Sequence, residues 1–480
     1  MLLKRKIVLF SLFICSILVF FSCKESSDVV SGDSSLRLTF SSDTIRFDTV
    51  FSTVNSATRR VLVHNLNKNA LDIASVDLMG GSNSYFRINV DGYSGNQQHL
   101  EIRGRDSLYV FIELTVDPQN QNNPVLIEDS IRFVTNGQAQ YLYLEAYGQD
   151  VYIWKNKRIS QDTVLDNSKP YLIYDSLSVS KNAKLSVLPG VKFYFHKNAG
   201  LYLHGQLQAE GTVDNPIVFR GDRIDNIFTD VPYDVGVAGQ WNGIFIDSLS
   251  YGNTLKNLRI RNGIYGLNFR ASLPDVLKAN LENVVVHNVL ADAVSAVNCN
   301  INFGNCQITN AKEMALRLVG GKYTLLHCTI ANYFNAVGEY RASDSKTLYL
   351  SNILGKEVLP LSSCDLINCI ISGARTSEVQ LSNTLNGQAQ TPFEYLFKNC
   401  LINLQGTDDD NFVGTIWNKS PVFLNLNTGK NYLYNFELDS TSAAIDKADR
   451  SYSLDLPFDL HGVSRLNDTN PDIGCYEWHK

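Results

Sequence analysis

The chain has 480 residues, 44% of them hydrophobic, which is enough for two to four ordinary domains or one long repeat array. A formal charge of −6 gives no reason to expect nucleic acid as a partner.

The first element is a targeting segment. Lys4, Arg5 and Lys6 precede the mostly apolar stretch "IVLFSLFICSILVFF" (7–21). That stretch is short for a membrane span, and with Ser22–Cys23 behind it the pattern reads as a signal peptide over 1–22. The alternative is an uncleaved membrane anchor. Ser22–Cys23 resembles a bacterial lipobox, although Phe20 and Phe21 are bulkier than that motif usually shows. The resemblance implies that Cys23 carries the acyl chains of a lipid anchor; two or more chains hold a protein stably on a membrane. Residues 23–36 are polar and Ser-rich and read as a flexible tether. "CKESSD" is similar to the Lys-plus-acid signal that sends some Gram-negative lipoproteins to the outer face of the outer membrane. Outer-membrane attachment with cell-surface exposure is therefore expected, with a periplasm-facing position as second choice.

Residues 37–150 alternate like strands in "LRLTF", "RRVLVHN", "DSLYVFIELTV" and "QYLYLEAYG". Several strands at this spacing predict an antiparallel β-sandwich. It resembles the immunoglobulin-like modules of bacterial surface proteins, although it contains no cysteine.

From 151 the runs shorten. Leu185/Val187, Val191/Phe193/Phe195, Leu201/Leu203, Leu207/Ala209 and Ile217/Phe219 are period-2 pairs or triplets punctuated by glycines. Runs this short predict the coils of a solenoid. A repeat then emerges. "KNLRIRN" (256–262), "ENVVVHN" (282–288), "GNCQITN" (304–310), "LHCTIAN" (326–332), "INCIISG" (367–373) and "KNCLINL" (398–404) share one frame. Leu258, Val284, Cys306, Cys328, Cys369 and Cys400 occupy its apolar position, and Ile or Val follows two residues later. A second frame recurs at Gly266–Leu267, Ala293–Val294, Ala315–Leu316 and Ala336–Val337. Three short strands per coil of about 22 residues predict a parallel β-helix over 151–435. The step of 41 residues from Cys328 to Cys369 has room for one further coil, at "TLYLSNI" (347–353).

On this reading the cysteines are stacked filler, because free Cys behaves as a small hydrophobe. A Cys306–Cys328 disulfide is the rival, since neighbouring coils lie within disulfide range. The asparagines, with His327 in one place of their column, read as turn residues that tolerate the left-handed conformation.

"SAAIDKADRSYSLDLPFDLHGVSRLNDTNPDIGCYEW" (442–478) resembles the end of the choice-of-anchor Q family, within the right-handed parallel β-helix (pectin-lyase-like) superfamily. Ala448 and Cys475 depart from its pattern. The resemblance implies an all-β chain, with the immunoglobulin-like β-sandwich followed by a right-handed parallel β-helix solenoid and a C-terminal cap over 436–480. It implies surface attachment and no reaction. Asp446, Asp459, Arg465, Asp472 and Glu477 are expected to form a hydrogen-bonded cap that closes the helix end. The acids, Asp455 included, lack EF-hand or nonapeptide Ca²⁺ spacing, so no metal or other cofactor is expected.

For function, the insertion "DRIDNIFTDVPYDVGVAGQW" (222–241) interleaves Phe228, Tyr233 and Trp241 with Asp230 and Asp234. Rings that stack on sugar faces beside carboxylates that accept hydroxyls make these five the candidate glycan contacts; the alternative is a loop folded back over the helix. Adhesion or glycan binding without catalysis is the expected role. The partner would be an extracellular polysaccharide or a neighbouring surface protein. A polysaccharide lyase or glycoside hydrolase is the alternative, with outward-pointing Arg259 and Arg261 as the charges a lyase could use.

Overall fold

The computed structural model describes residues 29–228, 231–426, 432–467 and 469–479. The predicted signal peptide, Cys23, the start of the tether and Asp230 lie outside the described residues. Two compact units result, one ending at Gly148 and one running from Gln149 with the short 120–123 segment. Apart from short helical turns such as Tyr233–Gly236 and Arg450–Ser453, the described elements are strands.

The first unit holds two five-stranded sheets. Arg59–Asn65 pairs antiparallel with Asp106–Leu114 in one, and Gln138–Gln149 with Val125–Thr135 in the other. Strict alternation drives this. Asp106–Leu114 buries Leu108, Val110, Ile112 and Leu114 and leaves Tyr109 and Phe111 exposed. Val61, Ile73, Phe86, Val110, Phe133 and Leu142 belong to one buried cluster fed by both sheets.

The second unit is built on a 24-stranded sheet whose strands pair in parallel from coil to coil, the solenoid of a parallel β-helix. Each coil visits three faces, named A, B and C here. Face A stacks Leu201, Ile244, Leu267, Val294, Leu316, Leu348 and Val379. Face B stacks Ala209, Leu255, Leu281, Phe303, Leu325 and Leu366. Face C stacks Phe219, Ile260, Val286, Ile308, Ile330, Ile371 and Ile402. All point into one bore, and burying each of these larger aliphatic side chains contributes roughly 1.5–3 kcal/mol.

The cysteines fall where the repeat puts them. Cys306, Cys328, Cys369 and Cys400 are free and fully buried, with the Cys328 N–H 3.4 Å from Cys369 Sγ. Burial pushes the Cys306, Cys328 and Cys369 thiols well up, so they stay protonated and act as apolar filler.

The corner between faces B and C is a column of left-handed residues: Asn257, Asn283, Asn305, His327, Asn368 and Asn399, with φ between 50° and 56°. Asn is among the few residues that adopt this conformation cheaply. A second column, Asn262, Asn288 and Asn310, marks the end of face C.

Two expectations are corrected. The long step between Cys328 and Cys369 hides no extra coil, because Ile330 pairs directly with Ile371. Its extra residues form hairpins, Asn335–Ala336 with Glu339–Tyr340 and Ile353–Leu354 with Glu357–Val358. "TLYLSNI" supplies the face A strand of the same coil, and Leu348 rather than Val337 continues the column from Leu316. The C-terminal segment also does not close the helix end. It runs along the outside of face C as a strap. The hairpin of Phe423–Asn425 with Asn435–Leu438 packs Phe423, Phe436 and Leu438 with Ile370 and Leu401 in a second hydrophobic cluster outside the bore.

Candidate functional site

The described residues of the 222–241 insertion fold back over the coils. Trp241, a predicted sugar contact, is fully buried instead. It stacks on Phe195 with ring centroids 4.3 Å apart, and its Nε1 donates to the Arg261 carbonyl at 2.9 Å. The indole fills the bore because its backbone pairs in parallel with Gly263 as part of the coil. Asp234 is engaged too. Its Oδ2 lies 2.8 Å from Arg220 Nη1 and 3.3 Å from Arg261 Nη1. Tyr233 lies beneath the Arg223 guanidinium at 4.2 Å, and Arg223 in turn pairs with Asp225 at 2.7 Å. Phe228 is exposed. The second asparagine column pins the loop: Asn262 Nδ2 donates to Val237 O at 2.6 Å and Asn288 Nδ2 to Val235 O at 3.3 Å. The four predicted contacts among the described residues therefore do not converge. Of the four described, only Phe228 presents an open ring.

The arginine pair is likewise occupied. Arg261 is clamped by Asp234, and half-buried Arg259 donates to the Leu258 and Asn283 carbonyls at 3.3 and 3.4 Å. In the acidic turn 406–412, Asp408 accepts from Gly414 N, Thr415 N and Trp417 Nε1, and Asp409 from Asn411 N and Phe412 N. These acids shape the turn.

Of the predicted set, Asp459, Asp472, Glu477 and Arg465 are buried and hydrogen-bonded together on the strap, while Asp446 is exposed and joins them only through its backbone N–H. Arg465 Nη1 donates to Glu477, and its Nη2 donates to Asn305 Oδ1 at 2.9 Å and Gly474 O at 3.0 Å. Asp459 accepts from the backbone of His461, Val463 and Glu477. Asp472 accepts from Asp446 N and Trp478 N. Oxygens filled by N–H donors suit a hydrogen-bonded knot rather than cation ligation. Burial pushes the Glu477 carboxyl up to about 7, even beside Arg465.

This knot fastens the strap to the B–C corner. Asn305 Nδ2 donates to Phe458 O at 2.5 Å, and Asn368 exchanges two hydrogen bonds with the Asp449 backbone. His327 Nε2 faces the Ser453 hydroxyl at 2.9 Å and the Asn368 amide at 3.1 Å. Cys475 N donates to Thr329 Oγ1, and Tyr476 Oη to Gln307 Oε1 at 2.6 Å.

Where the strap leaves the corner, a cleft of about 400 Å³ opens, within the usual range for ligand clefts. One wall is solenoid: Lys256, Glu282, Asn257 and Asn283. The other is the strap from Asp455 to Phe458. Lys256 Nζ and Glu282 Oε1 are 2.8 Å apart and partly exposed. Asn283 is 7% exposed; its Nδ2 donates to Asn257 Oδ1 at 3.0 Å, and its Oδ1 has no partner among the described residues. Phe458 is 56% exposed at the rim, held in place by the Asn305 bond to its carbonyl. A flat ring, an ion pair, an exposed carboxylate at Asp455 and a floor of amides are the groups that grip a hydroxylated ring. Sequence reasoning missed this cleft because its halves lie some 200 residues apart. The available signal was "CII" and "CLI" at 369–371 and 400–402: apolar residues at Ile370 and Leu401, on the outward side of face C, require a cover.

No protein-family model matches the chain, and no curated protein matches it. Among solved structures it is similar to pectate lyase Pel9A at 11% identity, over 69% of this chain and 88% of that one, with a TM-score of 0.32. It is similar to the catalytic domain of a GH87 alpha-1,3-glucanase, in complex with tetrasaccharides, at 13% identity over 75% and 91% of the two chains, with a TM-score of 0.23. A family 123 glycoside hydrolase from Clostridium perfringens is similar at 8% identity and a TM-score of 0.19; the match covers 27% of this chain and only 30% of that one. Likenesses this loose leave the chemistry of the site to its own residues.

Proposed function

We propose that the protein is a lipid-anchored surface protein whose β-helix binds a glycan without cutting it. Cys23 carries the anchor, at the outer membrane and exposed at the cell surface, and the Ser-rich residues after it are the tether. The first unit is an immunoglobulin-like spacer. The solenoid is right-handed, as nearly all parallel β crossovers are, and its C-terminal stretch is of the choice-of-anchor Q type. The partner is an extracellular polysaccharide, or the glycan of a neighbouring surface protein.

The strap cleft carries the binding reading. It combines an exposed ring, Phe458, with polar groups fixed by a buried network, so the site is formed before a ligand arrives. The test is a glycan array probed with the full processed chain, alongside Phe458→Ala. Binding to at least one glycan class that falls on the order of tenfold with Phe458→Ala is expected. Binding that the variant leaves intact, or no binding at all, contradicts the reading. The same glycans incubated with the protein should gain no new ends. Unsaturated ends that disappear with the Arg259→Ala, Arg261→Ala double change would make it a lyase.

A further inference from the structure

We infer that the strap cleft takes a neutral hexopyranose segment and turns away uronate-bearing chains, an inference that rests on the glycan-binding reading above. The charges lining the cleft decide this. Lys256 is its only cation among the described residues, and Glu282 holds it at 2.8 Å. The carboxylates are Glu282, Asp455 and Asp459. Both Asp459 oxygens are taken by backbone N–H groups, while Asp455 is exposed and open to hydroxyl donors. The nearby Arg465 guanidinium stands behind Asn305, fully buried and committed to Glu477. A uronate entering the cleft would therefore meet net negative charge and no free cation, and like charges brought together repel.

A neutral ring meets the opposite situation. Its hydroxyls donate to Asp455 and to the outer face of Glu282, and its axial C–H groups lie on the exposed Phe458 ring. Asn257 and Asn283 are each more than nine-tenths buried in the floor, and Asn283 Oδ1 has no partner among the described residues. Amides and carboxylates without a free guanidinium match hydroxyls rather than carboxylates.

The test is calorimetric titration of the full processed chain with two oligosaccharides of equal length and linkage, one of neutral hexoses and one of the corresponding uronic acids, at low salt. The neutral oligomer should bind at least tenfold tighter. Asp455→Asn removes one repelling charge and should narrow that ratio severalfold, while Phe458→Ala should weaken the neutral oligomer on the order of tenfold. A uronate that binds as tightly as the neutral oligomer, or a ratio that Asp455→Asn leaves unchanged, overturns the neutral-sugar inference and leaves the glycan reading standing. Binding of neither oligomer on the array or in titration overturns the glycan reading itself.

Discussion

In the earlier coils Asn283 donates to Asn257 and Asn257 to the Gly211 carbonyl, whereas in the later coils Asn305, His327 and Asn368 bond to the strap. All five hold the same left-handed corner. The turn demands the residue type, and the side chain that the turn leaves over is free for a second use. Before the strap arrives the amides form a ladder, and beneath the strap they become its anchors. The outward side of face C changes in step. It carries Arg259 in the earlier coils, then Val285, Gln307, Thr329, Ile370 and Leu401 beneath the cover. The cleft sits at the boundary between the two regimes, with the free ladder as one wall and the strap as the other.

Arg465→Met breaks the comparison hardest. It strands the buried Glu477 carboxyl and frees Asn305, at a cost of about 3–5 kcal/mol. Denaturant unfolding should show that loss as early release of residues 432–479. Hydrogen exchange should quicken at Thr329–Asn332 and Ile370–Gly373 and stay slow at Lys184–Val187 and Gln206–Glu210 in the earlier coils. A single transition with all coils equally exposed would mean that strap and solenoid fold as one unit.

The next effect is pH dependence with two opposing signs. Burial raises the Glu477 pKa from 4.5 to about 7, so its contribution is present below pH 4.5 and is lost as pH rises through about 7. Burial and nearby Arg465 hold His327 well below its ordinary 6.5, so its contribution is present above pH 6.5 and is lost as pH falls. Between pH 5 and 6.5 these slopes oppose each other, and strap stability should be nearly flat. His327→Asn, which restores the residue type of the column, should leave stability falling by about 2 kcal/mol as pH rises from 5 to 7. Glu477→Gln should leave it falling as pH drops below 6.5, the opposite sign. Melting curves across that range read both; matching profiles in the two variants would contradict the assignment.

Asn283→Ala is the mildest change. It puts Ala at a φ of 56° and removes the donor to Asn257, which should cost about 1 kcal/mol and leave the strap docked. Asn305→Ala should cost more, because it also loses Phe458 O and Arg465. Equal losses at the two positions would erase the distinction between ladder and anchor.

Much of this fold is legible in the chain because the bore obeys two rules at once, alternation along each strand and recurrence from coil to coil. Cys306 and Cys328 sit in step with Leu258 and Val284, and the structure stacks them so. The insertions were harder to read. Val337 mimicked a repeat position because "NAV" copies the small-then-aliphatic frame, and only pairing shows Leu348 in the column. Trp241 read as a loop aromatic because the sequence does not mark where the insertion ends and the coil resumes. The residues of the C-terminal network were visible as a set, but their docking surface was not, since a solenoid's flank and its end offer the same edge of alternating residues.

The most direct measurement is hydrogen–deuterium exchange of the full processed chain with and without the saccharide that binds best on the array. Slowed exchange confined to residues 455–462 and to the corner segments around Lys256–Asn257 and Glu282–Asn283 is the predicted result. Slowing in the 222–241 insertion or along face A, with none at the cleft, would contradict it.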